Sequence, residues 1–283
     1  MTDQDLAAQI SELFSQGEQA DALTARAAFV RLRDSLGEGR VRAAEPDASS
    51  PTGWRVNSWV KQGILLGFRF GRLVNVSMDH GKWPFYDKDT MPMKALELEQ
   101  HVRLVPGGSA IREGAYVGRG VICMPPMYVN IGAWVDECTL IDSHVLIGSC
   151  AQVGARVHIS AGAQIGGVIE PVGAIPVIVE DEVLVGGNTG LYEGVVVKRR
   201  AVIGAGTIIT ASTPIYDLPN GRAISAEPGA PMVVPEGAVV VPGARAVSVG
   251  QGVEWGISLA TPVIVKYRDE KTDTRTELER WIR

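Results

Sequence analysis

A six-residue spacing of apolar side chains runs through the middle of the chain. From residue 111 to 165 every sixth residue is aliphatic or cysteine, and the spacing resumes in a new phase from 179 to 215. The positions are Ile111, Val117, Cys123, Val129, Val135, Ile141, Ile147, Val153, Ile159, Ile165, Val179, Val185, Leu191, Val197, Ile203, Ile209 and Ile215. This period matches neither the 3.6-residue α-helix nor a β-hairpin, and it indicates a structural repeat.

The residues around each apolar position explain the period. The next residue is often Gly, Asn, Asp or Ser, and the residue four positions on is often small or β-branched. Gly, Asn and Asp tolerate the left-handed backbone angles of a tight corner, and small side chains fit a narrow interior. Three units, about 18 residues, make one triangular coil, and coils stack about 4.8 Å apart. The sequence therefore predicts a mainly β protein with a parallel β-helix of about six coils.

Other patterns flank the repeats. Residues 1 to about 45 have helical spacing, and the apolar stretch 56–68 continues as helix. The sequence after Ile215 predicts a polar loop at 217–222, β-rich runs at 232–241 and 262–267, and a final short helix at 276–283.

These patterns divide the chain into three parts. We predict an α-rich N-terminal domain at 1–104, the repeat β-helix at 105–230, and a small β-rich C-terminal extension at 231–283. The 33 glycines, 16 prolines and 6% aromatic residues suit a thin stacked core.

Charge and hydropathy limit the partners. The net charge of −5 argues against general nucleic-acid binding. The apolar runs are too short to span a membrane, and the acidic start MTDQDLAAQI differs from a signal peptide. Cys123, Cys138 and Cys150 lie inside repeats without CxxC spacing, so we interpret them as reduced packing residues of a cytoplasmic protein.

Several longer motifs are more specific than the spacing. They are Arg-Leu-Val-Pro at 103–106, Met-Tyr-Val-Asn-Ile-Gly-Ala-Trp-Val-Asp-Glu at 127–137, Ile-Asp at 141–142, Ile-Gly-Ser-Cys-Ala-Gln-Val-Gly at 147–154, Val-His-Ile-Ser at 157–160, Gly-Gly-Val-Ile-Glu-Pro at 166–171 and Val-Ile-Val-Lys at 263–266. Over roughly residues 54 to 270, the chain resembles the tetrahydrodipicolinate N-succinyltransferases of bacterial lysine and diaminopimelate synthesis. The resemblance implies a left-handed winding of the β-helix.

The resemblance also implies a reaction. Its donor is succinyl-CoA, a co-substrate rather than a permanently bound cofactor, and its acceptor is the open-chain amine form of tetrahydrodipicolinate. The amine attacks the thioester carbonyl, so a side chain must accept its proton, while backbone N–H groups stabilise the oxyanion. No metal site is expected. Enzymes of this architecture bind acyl-CoA between neighbouring prisms, which implies a homotrimer with sites between subunits.

Two carboxylates are candidate catalytic groups under this resemblance. Asp142 matches an Asp near the amine, and Glu193 matches a family Glu. One departure concerns Gly190, which stands where a compared family member has a further Glu. Either one carboxylate suffices here, or Glu193 or a histidine such as His158 substitutes.

The substrates require other groups. Arg103 corresponds to a family substrate-binding Arg, and bidentate Arg suits carboxylates. We expect Arg103, Asp142, His158 and Ser160 to bind the acceptor. Near the CoA phosphates the basic residues Lys198, Arg199 and Lys266 are candidates.

Two alternatives remain open. A sister group of N-acetyltransferases shares the His-x-x-x-Gly and Gly-Val-Ile-Glu-Pro stretches, so acetyl-CoA is an alternative donor. The second alternative is a different class of protein, a non-catalytic hexapeptide-repeat scaffold of the carbonic-anhydrase type. Such a protein needs metal-ligating histidines, and the four histidines form no such cluster in the sequence: His80, His101, His144 and His158.

Overall fold

The computed structural model describes residues 2–77, 83–227 and 229–268. Its N-terminal part is a helical cap, as the spacing predicts. The helices are α1 (Asp3–Ser15), α2 (Ala22–Gly37) and α3 (Ser58–Phe70), with 3₁₀ turns at Gly17–Gln19 and Leu98–Gln100. The Thr2 hydroxyl accepts a hydrogen bond from Asp5 N, which caps α1. Ile10, Phe29, Leu32 and Ile64 are fully buried where the three helices meet.

Two small hairpins complete the cap. The first joins β1 (Ala44–Pro46) to β2 (Trp54–Val56), and the second joins β3 (Leu73–Asn75) to β4 (Tyr86–Lys88). Ala44 is fully buried with Ile178 and Val196 of the repeat domain, so the first hairpin lies against the β-helix.

The repeat domain is a stack of short parallel strands. Its strands and the C-terminal elements are β5 (Arg103–Leu104), β6 (Ala110–Ile111), β7 (Tyr116–Val117), β8 (Ile122–Cys123), β9 (Tyr128–Val129), β10 (Trp134–Val135), β11 (Leu140–Ile141), β12 (Leu146–Ile147), β13 (Gln152–Val153), β14 (His158–Ile159), β15 (Gln164–Ile165), β16 (Ile178–Val179), β17 (Leu184–Val185), β18 (Gly190–Leu191), β19 (Val196–Val197), β20 (Val202–Ile203), β21 (Ile208–Ile209), β22 (Ile215–Asp217), β23 (Arg222–Ile224), β24 (Val233–Val234), β25 (Ala238–Ala246), α4 (Gln251–Glu254) and β26 (Ser258–Tyr267).

Successive strands take turns in three sheets, which form the faces of a triangular prism. Face 1 contains β5, β8, β11, β14, β17, β20 and β25, face 2 runs from β6 to β21, and face 3 runs from β7 to β24. Every residue of the six-residue spacing is buried, from Ile111 to Ile215. The small residues four positions on are buried too, including Ala115, Thr139 and Ala163. The predicted parallel β-helix is therefore confirmed.

The break in the spacing is an insertion. The chain from 166 to 177 forms a loop between β15 and β16, at the corner where face 2 passes to face 3. The fully buried Lys61 of α3 donates a hydrogen bond to the Ala174 carbonyl of this loop. The insertion therefore fastens the cap to the prism.

The last apolar position behaves differently from the others. Ile215 is buried, but its strand β22 pairs with β23 and β26 and leaves the regular stack, while β24 takes the place on β19. The predicted polar loop at 217–222 is the turn between β22 and β23. Its first residue is not solvated, because Asp217 is 1% exposed and accepts hydrogen bonds from Asn220, Arg222 and Tyr267.

A long antiparallel hairpin of β25 and β26 extends face 1 beyond the coils. Stacked strands reach slightly outside 105–230, since β5 precedes this range and β24 follows it. The expected helix at 276–283 lies outside the described residues. Within those residues, none of the helices has the length and apolar character needed to span a membrane.

Candidate active site

Face 1 carries three of the predicted site residues in one row. Strand register places Arg103, His158 and Lys266 in line, with Ile122 and Leu140 between the first two. Leu184, Val202 and Val239 continue the row from His158 to Lys266. His158 precedes the buried Ile159, and side chains alternate along a strand, so the row from Arg103 to Val239 faces outward. A β-bulge between Ile264 and Lys266 interrupts the alternation on β26. The fold thus brings an Arg, a His and a Lys into one strand row of face 1.

Arg103 and His158 lie three strands apart in this row, about 14 Å at the usual strand spacing. Arg103 is exposed, and its guanidinium makes no hydrogen bond or ion pair to the described residues. His158 is half-buried between Leu140 and Leu184 of the neighbouring strands. The Arg103 guanidinium can therefore receive an external carboxylate.

The corner between faces 1 and 2 holds Asp142 and Ser160. Asp142 N donates to Ile159 O and Ser160 N donates to Val185 O, both at 2.9 Å, so the two residues stack one coil apart. Asp142 Oδ1 accepts a hydrogen bond from Ser143 N at 2.7 Å, which fixes the carboxylate at the corner. Both residues are half-buried. Asp142 Oδ2 has no hydrogen-bond partner in the described part of the chain and is available to an amine.

Glu193 lies elsewhere, at the corner between faces 2 and 3 and two coils further along. It is exposed, has a left-handed φ of 56°, and accepts a hydrogen bond from Ala211 N through Oε2 at 3.0 Å. The two candidate carboxylates, Asp142 and Glu193, therefore stand on different edges of the prism. A single chain does not bring them together.

Comparisons with known proteins agree with this architecture. Residues 5–70 match the family model described as tetrahydrodipicolinate N-succinyltransferase N-terminal, and residues 176–211 match that of the hexapeptide repeat of succinyl-transferase. A 2,3,4,5-tetrahydropyridine-2,6-dicarboxylate N-succinyltransferase of Rhodopseudomonas palustris is 39% identical over 95% of this chain and 92% of that protein. A protein of the same name from Idiomarina loihiensis is 37% identical over 97% of this chain and 96% of that protein.

The chain belongs to the tetrahydropyridine-dicarboxylate N-succinyltransferase family. Its fold is the left-handed parallel β-helix with a helical N-terminal domain. A solved structure titled a 2,3,4,5-tetrahydropyridine-2-carboxylate N-succinyltransferase, from Campylobacter jejuni, is 16% identical with a TM-score of 0.49. The match covers 84% of this chain and 62% of that one, so this chain spans less than two thirds of its length.

Gly190 lies under close side-chain packing in this N-succinyltransferase family member. Gly190 is buried on face 2, and a Cβ placed on it would lie 2.4 Å from Cε2 of Tyr192 and 2.9 Å from Cδ1 of Ile208. The Tyr192 hydroxyl donates a hydrogen bond to Oε1 of Gln164, the residue paired with Gly190 on the next strand. A tyrosine and an amide therefore fill the space above Gly190, and sequence analysis missed both.

The basic pair Lys198 and Arg199 sits on a third edge, between faces 3 and 1. Lys198 Nζ donates to Glu180 Oε1 at 2.8 Å and to Thr52 O at 2.6 Å, which links the prism to the first cap hairpin. Arg199 is exposed, with Glu182 at 3.8 Å. The structure thus separates this pair from Lys266, the third residue predicted to bind CoA.

Sequence analysis also missed an aromatic group on face 3 of this family member. Tyr116 and Trp134 stack with ring centroids 3.9 Å apart, and the Arg42 guanidinium lies 4.0 Å from the Trp134 ring centroid. Both aromatic residues precede buried residues of the six-residue spacing and pair in register. Two outward-facing aromatic residues 18 positions apart in the sequence indicate that another segment covers this face.

Proposed function

We propose that this protein transfers the succinyl group of succinyl-CoA to the amine of open-chain tetrahydrodipicolinate, a step of diaminopimelate and lysine biosynthesis in the cytoplasm. The supporting observation is the placement of Asp142 and Ser160 at the edge of the face that carries Arg103, His158 and Lys266. The relatives with this activity in their names match almost the whole chain.

The chemistry assigns a role to each group. The neutral amine attacks the thioester carbon, the tetrahedral oxyanion collapses, and CoA leaves as a thiolate. The nitrogen sheds a proton during this step, and Asp142 Oδ2 is placed at a corner where it can accept a hydrogen bond from the amine and then that proton. Arg103 binds a carboxylate of the acceptor through its guanidinium, while His158 and Ser160 contact the acceptor from the same surface.

We propose that the active form is a homotrimer. Asp142 and Glu193 lie on different edges of one prism, so a site that uses both needs the edges of two neighbouring subunits. Face 3 is covered by the cap through Ala44 and Trp54, which leaves faces 1 and 2 for subunit contact. The active sites are then three grooves between prisms.

Lys266 is our first choice for a CoA phosphate contact, because it lies in the same strand row of face 1 as His158. Lys198 and Arg199 remain candidates for the distant end of the long CoA molecule. The ammonium of Lys198 must then exchange its bond to Glu180 for one to a phosphate.

A thiol-release assay with purified protein tests the proposal. Succinyl-CoA and acetyl-CoA are compared as donors with tetrahydrodipicolinate as acceptor, and the acyl product is identified by mass spectrometry. We expect a higher kcat/KM with succinyl-CoA. A preference for acetyl-CoA would reassign the donor, and failure to release thiol with either donor would refute acyl transfer to this acceptor.

A further inference from the structure

A cavity of about 380 Å³ lies between the first cap hairpin and the edge that joins faces 3 and 1. The cap contributes Arg42, Gly53 and Trp54, while the prism contributes Asp136, Asp181 and Lys198, among others. Ligand cavities in proteins span about 300–1,000 Å³, so this one suits a small molecule. It lies on a different edge from Asp142 and Ser160 and belongs to one chain.

Arg42 is the principal cation of this cavity. Its guanidinium lies over Trp134 at 4.0 Å and near Trp54 at 5.5 Å, and Nε donates to Oε1 of the fully buried Gln152 at 3.0 Å. Aromatic stacking and this single bond fix the plane of the guanidinium. Nη1 and Nη2 make neither a hydrogen bond nor an ion pair within the described residues. This leaves a fixed fork of donors that matches a carboxylate.

Two carboxylates face the same space. Asp136 accepts hydrogen bonds from Glu137 N and Trp134 Nε1, and Asp181 accepts one from Ala155 N at 2.9 Å. Asp181 Oδ2 also lies 4.0 Å from the Arg156 guanidinium, a long ion pair. Each carboxylate oxygen can accept more than one hydrogen bond, so both carboxylates retain capacity for an ammonium group. Burial lowers the pKa of Arg42 to about 10, and the charges of Asp136, Glu45 and Asp181 oppose that shift, so Asp136 and Asp181 are among the carboxylates that act on Arg42 electrostatically.

The remaining charges compensate one another. Glu180 accepts hydrogen bonds from Trp54 Nε1, Lys198 Nζ and Arg199 N, so its two oxygens are occupied and Lys198 is neutralised. The cavity therefore presents one unpaired guanidinium beside two carboxylates that have unused acceptor capacity. A dianion such as phosphate would be repelled by Asp136 and Asp181, and a simple cation would be repelled by Arg42.

We propose that this cavity binds a free α-amino acid, with its carboxylate on the Arg42 guanidinium, its ammonium on Asp136 and Asp181, and its side chain along Trp54. The ligand would join a cap residue to a prism residue. It would therefore stabilise the docked arrangement of the cap and act as an effector away from Asp142 and Ser160. Because Lys198 and Arg199 line the same cavity, the amino acid would compete with any CoA phosphate that these two residues bind.

Binding is tested on the full-length protein by calorimetry and by tryptophan fluorescence with a panel of amino acids. The same panel includes N-acetyl amino acids, the decarboxylated amines and inorganic phosphate. We expect at least one amino acid to bind once per chain and to raise Tm. The N-acetyl compounds, the amines and phosphate should not compete with it.

Two substitutions locate the site. Arg42→Lys removes the fork, and Asp181→Asn removes an ammonium partner while its Oδ1 still accepts from Ala155 N. Each should weaken binding at least about tenfold, as expected for one charged hydrogen-bonded contact. The matched control is Glu254→Gln on α4, which changes an exposed carboxylate outside the cavity by the same charge and should leave binding unchanged.

Three results would overturn the proposal. They are binding of phosphate in preference to every amino acid, the absence of amino-acid binding at millimolar concentration, and binding that is unaffected in Asp181→Asn. Amino-acid binding that is lost in Arg103→Ala but retained in Asp181→Asn would place the ligand on face 1 instead. A misfolded Arg42→Lys protein leaves the Asp181→Asn comparison decisive.

Discussion

The hydroxyl of Tyr192 donates a hydrogen bond to Oε1 of Gln164 at 2.9 Å, and its ring covers Gly190. This pair fills the space on face 2 beside Gly190. The space above Gly190 is therefore closed by a neutral contact in this chain.

Gly190→Ala should push the Tyr192 ring away and break its bond to Gln164. The expected loss is about 1–3 kcal/mol in the free energy of unfolding, the usual range for overpacking. Urea denaturation measures it, with Tyr192→Val alone and combined with Gly190→Ala to complete a double-mutant cycle. The control is Gly173→Ala, since no atom lies within 4 Å of a Cβ placed there. Additive effects of the two substitutions would contradict the clash.

Asp142→Asn should lower kcat by about 10²-fold or more, because the amide cannot accept the amine proton. The Asn side-chain oxygen can still accept the hydrogen bond from Ser143 N, so the corner and the trimer should persist. Steady-state kinetics and sedimentation are the measurements. Near-normal kcat in an intact assembly would remove Asp142 from the catalytic step.

Arg103→Ala should raise KM for the acceptor and leave KM for the CoA donor nearly unchanged, because the guanidinium is proposed to bind an acceptor carboxylate. Arg119→Ala provides the control, since Arg119 is also exposed but lies at the corner between faces 3 and 1 rather than on a strand of face 1. Equal changes in both KM values, or the same effect in the control, would argue against this role.

Glu193→Gln should damage activity more than His158→Asn. With an imidazole base, kcat/KM should fall as the pH drops below about 6.5. With an ordinary carboxylate base, it should fall only below about pH 4. Profiles of kcat/KM against pH for the wild type and both variants distinguish the two. Full activity in Glu193→Gln, together with loss of the acidic limb and most of the rate in His158→Asn, would identify histidine as the base.

Asp89 should contribute pH-dependent stability to the cap. Its hydrogen bonds from Arg26 and from Arg72 N lower its pKa to about 2. The unfolded chain binds this proton at higher pH than the folded chain, so the contribution is complete above about pH 4 and disappears as pH falls towards 2. The stability difference between wild type and Asp89→Asn should shrink over that window. A difference that is constant with pH would contradict the linkage.

Much of the prism could be predicted because its local pattern and its packing agree. A side chain at Ile141 or Ile159 is buried wherever the coil is placed, and the regular offset places Asp142 one coil from Ser160 on the same edge. The six-residue spacing no longer gives the position of a residue once the loop at 166–177 is inserted. For this reason the sequence did not indicate that Glu193 lies on a different edge from Asp142. Ile215 fits the spacing, yet β24 takes its place in the stack, because a later segment pairs with β19.

The contacts that escaped prediction join distant segments or depend on side-chain shape. Arg42 meets Gln152 across 110 residues, and no local pattern indicates such a contact. The Tyr192 ring covers Gly190, a placement of the side chain that no sequence pattern indicates. Such placements follow from tertiary packing rather than from residue type.

The constant offset between stacked strands has a kinetic consequence. Each coil pairs only with the coils before and after it, so the prism can grow outward from any coil that forms first. The cap hairpin, in contrast, docks through contacts between residues that are far apart in the sequence. Trp54 and Glu180 are separated by 126 residues, and Thr52 and Lys198 by 146. During synthesis the cap therefore leaves the ribosome well before its docking partners and must wait for them, with its prism-facing surface uncovered.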